Sequence, residues 1–326
     1  MAKTRRSRNK ELIDNCNLVA LDREIILARE IAPTGFIAVN VMKAVSEHRA
    51  LVKQACISGA DAIIMGAGLP LDLPDMVDGF SDIALIPILS EERGVRVLLK
   101  RWMRKQRLPD AIIIEHPRYA GGHLGATRIK DIENPRYDFS RVIKNIKQIF
   151  DELGIDPIPL IPAGGINSFS SLQHLFEMGA SGVQIGTPFA VSTEGDAHPN
   201  FKQVLLNAKK EDIVTFMSTA GLPARAVLTP WLKKYLSREQ HLRDIANPDK
   251  ATCAGYADCL SRCGFRDGSS DAGQFCILKK LEAAVMGDYK KGLFFRGSEP
   301  LIFGNEIRPV KQILSYLLSN TSVNAV

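Results

Sequence analysis

The sequence lacks any apolar run approaching the roughly 20 residues that a membrane-spanning helix needs. Its N-terminus, Met1-Ala2-Lys3-Thr4-Arg5-Arg6, is basic but is followed by no apolar stretch, which argues against a secretory signal. These absences predict a cytoplasmic chain with no membrane partner. Aromatic residues make up only 7% of the chain. Neither basic cluster is rich in them, whether Lys3, Arg5, Arg6, Arg8 and Lys10 or Lys100, Arg101, Arg104, Lys105 and Arg107. Both clusters therefore read as solvated surface, and nucleic acid is not an expected partner. The formal net charge of +6 is mild over 326 residues. No internal repeat or low-complexity tract is present.

What is there is an ordinary globular composition, 45% hydrophobic and 24% charged. From residue 36 onward, short apolar runs alternate with helical patterns. The expected strands are 36–40, 61–66, 83–89, 110–115, 158–163 and 182–186, and the expected helices between them fall near 45–58, 91–107, 139–153 and 168–178. Such alternation predicts a parallel sheet with right-handed crossovers. The expected fold is α/β, a TIM-type (β/α)₈ barrel. Only six strands can be found, however, and residues 1–35 hold one helical pattern, Asn17 to Ile31, with no strand. The reading is a barrel lacking its first two strands, as though the chain starts partway through a domain. Further on, helical patterns at 200–217 form an insertion able to cover a barrel mouth, and helices are expected near 277–287 and 309–318. The division is 1–232 for the barrel and 233–326 for a cysteine-containing cap.

Three loops carry the chemistry. Ala120-Gly121-Gly122-His123-Leu124-Gly125 follows the strand 110–115 and sets an imidazole at the carboxyl edge of the sheet, where ligands bind in α/β folds. Its glycines let the backbone approach a flat ligand, and His123 can exchange a proton near neutral pH. Taken alone, the loop is equally a glycine-rich turn with a solvated histidine. Ala163-Gly164-Gly165-Ile166 then runs into Asn167-Ser168, a helix N-cap pattern, and Gln184-Ile185 runs into Gly186-Thr187-Pro188. Successive glycine loops of this kind hold a phosphate after the last two strands of (β/α)₈ barrels.

The last third holds Cys253-x5-Cys259-x3-Cys263-x12-Cys276. Four thiolates in a reducing compartment can hold zinc or an iron–sulfur cluster. The spacing contains no Cys-x₂-Cys pair, so a loop-rich cap with free thiols is the alternative.

In order, Phe36–Asn40, Ala67-Gly68-Leu69-Pro70, Ala120–His123, Ala163–Ile166 and Gln184–Thr187 resemble the nitronate monooxygenase (2-nitropropane dioxygenase) family of FMN-dependent (β/α)₈ enzymes. The superfamily also includes the flavin-dependent enoyl-acyl-carrier-protein reductases of type II. The resemblance runs from about residue 17 to 230 and continues through the cysteine segment. It implies His123 as the catalytic histidine. It also implies FMN contacts at Asn40, Gly121, Gly122, Gly164, Gly165, Gln184, Ile185, Gly186 and Thr187, with Gly165, Gly186 and Thr187 nearest the phosphate. Where many members carry a glutamine that contacts FMN, this chain has His116. The family's first strand and its Gly/Met-rich loop have no counterpart. The implied activity is oxidation of alkyl nitronates with O₂. The alternatives are an NAD(P)H-dependent enoyl-thioester reductase and a non-catalytic remnant that binds a partner or metal through its cysteines.

Overall fold

Apolar segments buried on both faces become parallel strands here, and the amphipathic segments between them become the helices that cover the sheet. The computed structural model describes residues 5–248, 253 and 258–319, with side chains from residue 9. Strands β1 (Ala38–Met42), β2 (Ala62–Gly66), β3 (Ala84–Leu89) and β4 (Ile112–Glu115) are followed by the two-residue β5 (Gly122–His123) and then β6 (Leu160–Ala163). The parallel order is β1-β2-β3-β4-β6, and a bridge between Ala163 and Gln184 adds a sixth segment. The expected strand 182–186 is thus reduced to that single bridge. Among the described residues, β1 and the 182–186 segment do not pair with each other.

The covering helices follow the periodicity. In α4 (Glu92–Met103), Val95, Leu98, Leu99 and Trp102 are buried at helical spacing, while Lys100, Arg101 and Arg104 stay exposed. Trp102 also donates its indole N–H to the Pro70 carbonyl at 3.1 Å, so its one polar atom is satisfied. In α5 (Phe139–Leu153), Val142, Ile143, Ile146, Ile149 and Phe150 face the sheet. The N-terminal helix α1 (Arg5–Ile31) starts well before the expected residue 17. Arg29 at its end reaches the Gly35 carbonyl and the Asp61 carboxylate, both at 2.7 Å, which ties α1 to the entrance of β2. Among the described residues no helix is long and apolar enough to cross a membrane.

One expectation is overturned. The helical pattern over 200–217 is a helix only over Pro199–Asn207. Ile213–Met217 is a strand, β7, paired antiparallel with β8 (Pro223–Val227). Ile-Val-Thr-Phe-Met is a β-branched and aromatic run, and the short connection through Gly221 makes it one arm of a hairpin. β5 adds to the far side of β8, pairing Gly122 with Arg225 and His123 with Ala224. The three antiparallel strands begin a second core, in which Phe216, Ala224, Leu232, Tyr235, Phe275 and Leu293 are buried together.

Candidate functional site

Parallel pairing of Met42 with Gly66 and of Glu115 with Ala163 lines up the carboxyl ends of the strands at one edge. Two cavities open there. One of about 300 Å³ is lined by Gly121, Gly164, Gly165 and the run Gln184–Thr187. The other, about 560 Å³, is lined by Asn40, Gly66–Gly68 and His123. Glu115, Gly122 and Phe295 line both, so the two adjoin at these residues. The structure therefore gathers the loops singled out from sequence into one elongated, two-part site. Ser168 caps helix α6 (Phe169–Glu177), accepting from Ser171 N–H at 3.1 Å, and this fixes the end of the Gly164–Gly165 loop.

The N–H groups of Gly165, Gly186 and Thr187 find no acceptor among the described residues, while that of Gly164 faces the Gln184 carbonyl across the parallel bridge. Gly165 has φ +78°, and a Cβ there would stand 2.8 Å from Cγ of Tyr119. At Gly121 a Cβ would meet the Arg296 and Gly297 backbone at 2.5 and 2.6 Å. Both glycines are thus favoured by loop-on-loop packing.

His123 is held between Ser218, whose Oγ is 2.9 Å from Nε2, and the ring of Phe295, 5.5 Å away between centroids. Burial pulls its pKa down to about 4, so the ring is neutral at physiological pH. His116 is not part of the site. It lines neither cavity. It packs on Tyr119 and Phe139, and its Nδ1 accepts from the Arg118 N–H at 3.2 Å. Its pKa is pulled to about 4, chiefly by burial and then by Arg118.

Three residues at or beside the cavities escape a reading of the sequence. Glu115, at the junction of the cavities, is half-buried at the end of β4, and desolvation pushes its pKa up to about 7. The Gly125 N–H and the charge of Arg225 oppose that rise. Arg225, buried on β8, donates to the Pro117 and Ala120 carbonyls and so braces the loop before His123 from below. Arg296 belongs to a segment, Leu293–Leu301, that threads into the site: Gly297 N–H donates to Thr187 Oγ1 at 3.3 Å and Ser298 N–H to the Tyr119 carbonyl at 3.1 Å. An aromatic pair running straight into Arg-Gly-Ser is the only signal the sequence offers for it.

Glu115 makes stability depend on pH. Its carboxyl ionises near 4.5 when solvated and near 7 in the fold, so between these values the folded chain holds the extra proton. The stabilisation is complete below about pH 4.5 and is lost as pH rises through about 7. Glu115→Gln removes this term. The wild-type Tm should therefore fall relative to that of the variant between about pH 5 and 8. A Tm difference that stays constant with pH would overturn the assignment.

The metal centre expected at Cys253, Cys259, Cys263 and Cys276 is not supported. Among the described residues no three His, Cys, Asp or Glu side chains are grouped so as to hold a metal ion. The thiols have other work. Cys263 Sγ accepts from the Arg266 N–H and contacts Thr219 Oγ1, both at 3.4 Å, capping the turn Gly264–Asp267. Cys276 precedes the helix Ile277–Val285. Burial, and then the neighbouring thiols of Cys263, Cys276 and Cys253, push Cys259 up to about 11. Residues 249–252 and 254–257 of this segment lie outside the described residues.

Comparison with known proteins agrees with this geometry. The family model described as nitronate monooxygenase matches residues 19–320. A Bacillus subtilis (strain 168) protein named probable nitronate monooxygenase is 30% identical over 147 residues, 45% of this chain and 36% of the relative. One of the same name from Staphylococcus saprophyticus is 27% identical over 143 residues, 44% of this chain and 39% of the relative. The matches span little more than a third of these relatives' length. Among solved structures, FabK from Thermotoga maritima superposes with a TM-score of 0.61 at 24% identity, covering 86% of this chain and 74% of that one. The nitroalkane oxidase from Streptomyces ansochromogenes gives 0.52 at 16%, covering 92% and 75%. At these identities the structures share the fold, an α/β architecture with a parallel sheet. The family model spans nearly the whole chain, and the chain belongs to the nitronate monooxygenase family.

Proposed function

We propose that this chain is an FMN-dependent oxidoreductase that oxidises alkyl nitronates with O₂, with His123 carrying the proton. We read the parallel sheet as the wall of a (β/α)₈-type barrel formed within residues 1–232, with 233–326 as its cap. The observation that carries the functional reading is the two-part cavity. One end offers unused N–H donors at Gly165, Gly186 and Thr187, and the other holds a neutral, half-buried imidazole.

The residues present fit FMN. A Cβ at Gly186 would meet nothing within 4 Å, so space lies open beside the donors. Gly164, Gly165, Gly186 and Thr187 would hold the phosphate, with Asn40, Gly121, Gly122, Gln184 and Ile185 along the rest of the molecule. When bound, FMN supplies the acceptance of electrons from the substrate and their passage to oxygen. The protein's own residues manage position and protons. Neutral His123 accepts the proton from the carbon beside a nitro group. The cation so formed in a buried place is then offset by the nitronate charge created next to it. Glu115, with its pKa near 7, is a second proton-exchanging group at the junction of the cavities.

The test is a paired assay on the purified chain loaded with FMN. Oxygen uptake with propionate 3-nitronate is the expected result. Oxidation of NADPH with an enoyl thioester, and no oxygen uptake, would make the chain a reductase. A chain that retains no flavin would support the non-catalytic alternative.

A further inference from the structure

Arg296 is 4% exposed, and its guanidinium has no hydrogen-bond or ion-pair partner among the described residues, with Nε shielded from solvent and unpaired. That is unusual, because a buried cation with no counter-charge is strongly disfavoured. The other buried arginine near the site, Arg225, shows the ordinary solution by donating to two loop carbonyls. Two acidic residues line the same cavity as Arg296, and both have other partners. Glu115 accepts from the Gly125 N–H, and Glu299 accepts from Ser298 Oγ at 3.2 Å.

The position of Arg296 is fixed from both sides. The preceding Phe294 carbonyl accepts from Val227 N–H at 2.9 Å, and the following Gly297 N–H donates to Thr187 Oγ1 at 3.3 Å. Its own backbone packs so closely on Gly121 that a Cβ there could not be accommodated. The arginine is therefore seated beside the Thr187 loop and lines the same cavity as Gly164 and Gly165.

We infer that Arg296 is the counter-charge for a phosphate dianion in this cavity. The inference rests on the FMN reading above and assigns the dianion to the cofactor's phosphate. The chemistry matches on both sides: a dianion takes several N–H donors, a hydroxyl and a planar guanidinium fork, and residues that carry all three line this one cavity. Burial also pulls the arginine's pKa down from its usual value, so the cavity favours an anion that restores the charge balance.

Titration of flavin fluorescence in wild type, Arg296→Gln and Arg296→Lys, with FMN and with riboflavin, tests the inference. Wild type should prefer FMN. Arg296→Gln should weaken FMN binding by about 10–100-fold, the usual worth of a charge-assisted hydrogen bond, and leave riboflavin binding nearly unchanged. Arg296→Lys should lie between. Apo Arg296→Gln should melt at or above the wild-type temperature, because it no longer buries an uncompensated charge. Should that variant not melt cooperatively, the Arg296→Lys comparison decides alone. An unchanged preference for FMN in the variants, or an equal loss for both flavins, overturns the role of Arg296 while the flavin reading stands. A wild type that binds neither flavin overturns the flavin reading and this inference with it, and one that binds both equally leaves a flavin site but overturns the phosphate assignment. Inorganic phosphate serves as the third arm. It should raise the wild-type Tm more than that of Arg296→Gln and compete with FMN. Stabilisation without competition would give the site to free phosphate and overturn the assignment.

Discussion

Gly165→Asp is expected to abolish flavin retention, read as loss of the visible absorption band after gel filtration. Two costs combine. At φ +78° a side chain forces the backbone into a region disfavoured by about 1–2 kcal/mol, and its Cβ would press into the Tyr119 ring. A carboxylate placed about 4 Å from a phosphate adds repulsion of about 4 kcal/mol per unit charge near a protein surface, a factor of roughly a thousand in affinity. Gly165→Ala separates the two, since it carries the Cβ and no charge. The alanine variant should bind FMN more weakly than wild type and still be yellow, and the aspartate variant should be colourless. An aspartate variant that keeps its flavin would put the phosphate elsewhere.

The sequence reveals most where burial is two-sided and punctuation is strong. The segments containing β2, β4 and β6 read as strands because Ala-Ile-Ile-Met, Ile-Ile-Ile and Leu-Ile-Pro-Ala are apolar throughout and are bounded by glycine or polar turns. The glycine loops are legible for a related reason, since paired glycines at strand ends mark close backbone approach. β8 is not legible. Pro223-Ala224-Arg225-Ala226-Val227 carries a proline and a central arginine, and its burial is possible only because the carbonyls of Pro117 and Ala120 receive that charge. No local pattern can report a partner so distant in sequence. β7 hides for the opposite reason: no glycine or proline separates Asn207 from Ile213, so the helical pattern seems to run on. Arg296 lies far along the chain from His123, and only the folded Leu293–Leu301 segment brings it to the cavity. The cysteines teach a different lesson. Four thiols near in sequence suggest a metal, and Cys263 Sγ caps a turn in the fold; spacing alone does not distinguish a cap from a ligand.

His123→Asn is expected to lower turnover of a neutral nitroalkane by about 10²–10⁴ while leaving flavin content intact, the usual worth of a positioned acid–base group. Asparagine keeps a hydrogen-bonding group that can face Ser218, but it is smaller than the imidazole, gives up the ring contact with Phe295 and cannot accept a proton. A preformed nitronate needs no deprotonation and should suffer much less. Equal losses on the two substrates would make His123 a binding residue. The pH profile separates His123 from Glu115. Burial keeps His123 neutral above about pH 4, so with His123 as the base the wild-type rate should be flat from about pH 5 upward. A rate that climbs through about pH 7 and loses that climb in Glu115→Gln would instead assign proton removal to the carboxylate. That outcome would leave His123 as the group that positions the substrate against Phe295, and it would overturn the proton transfer proposed for it.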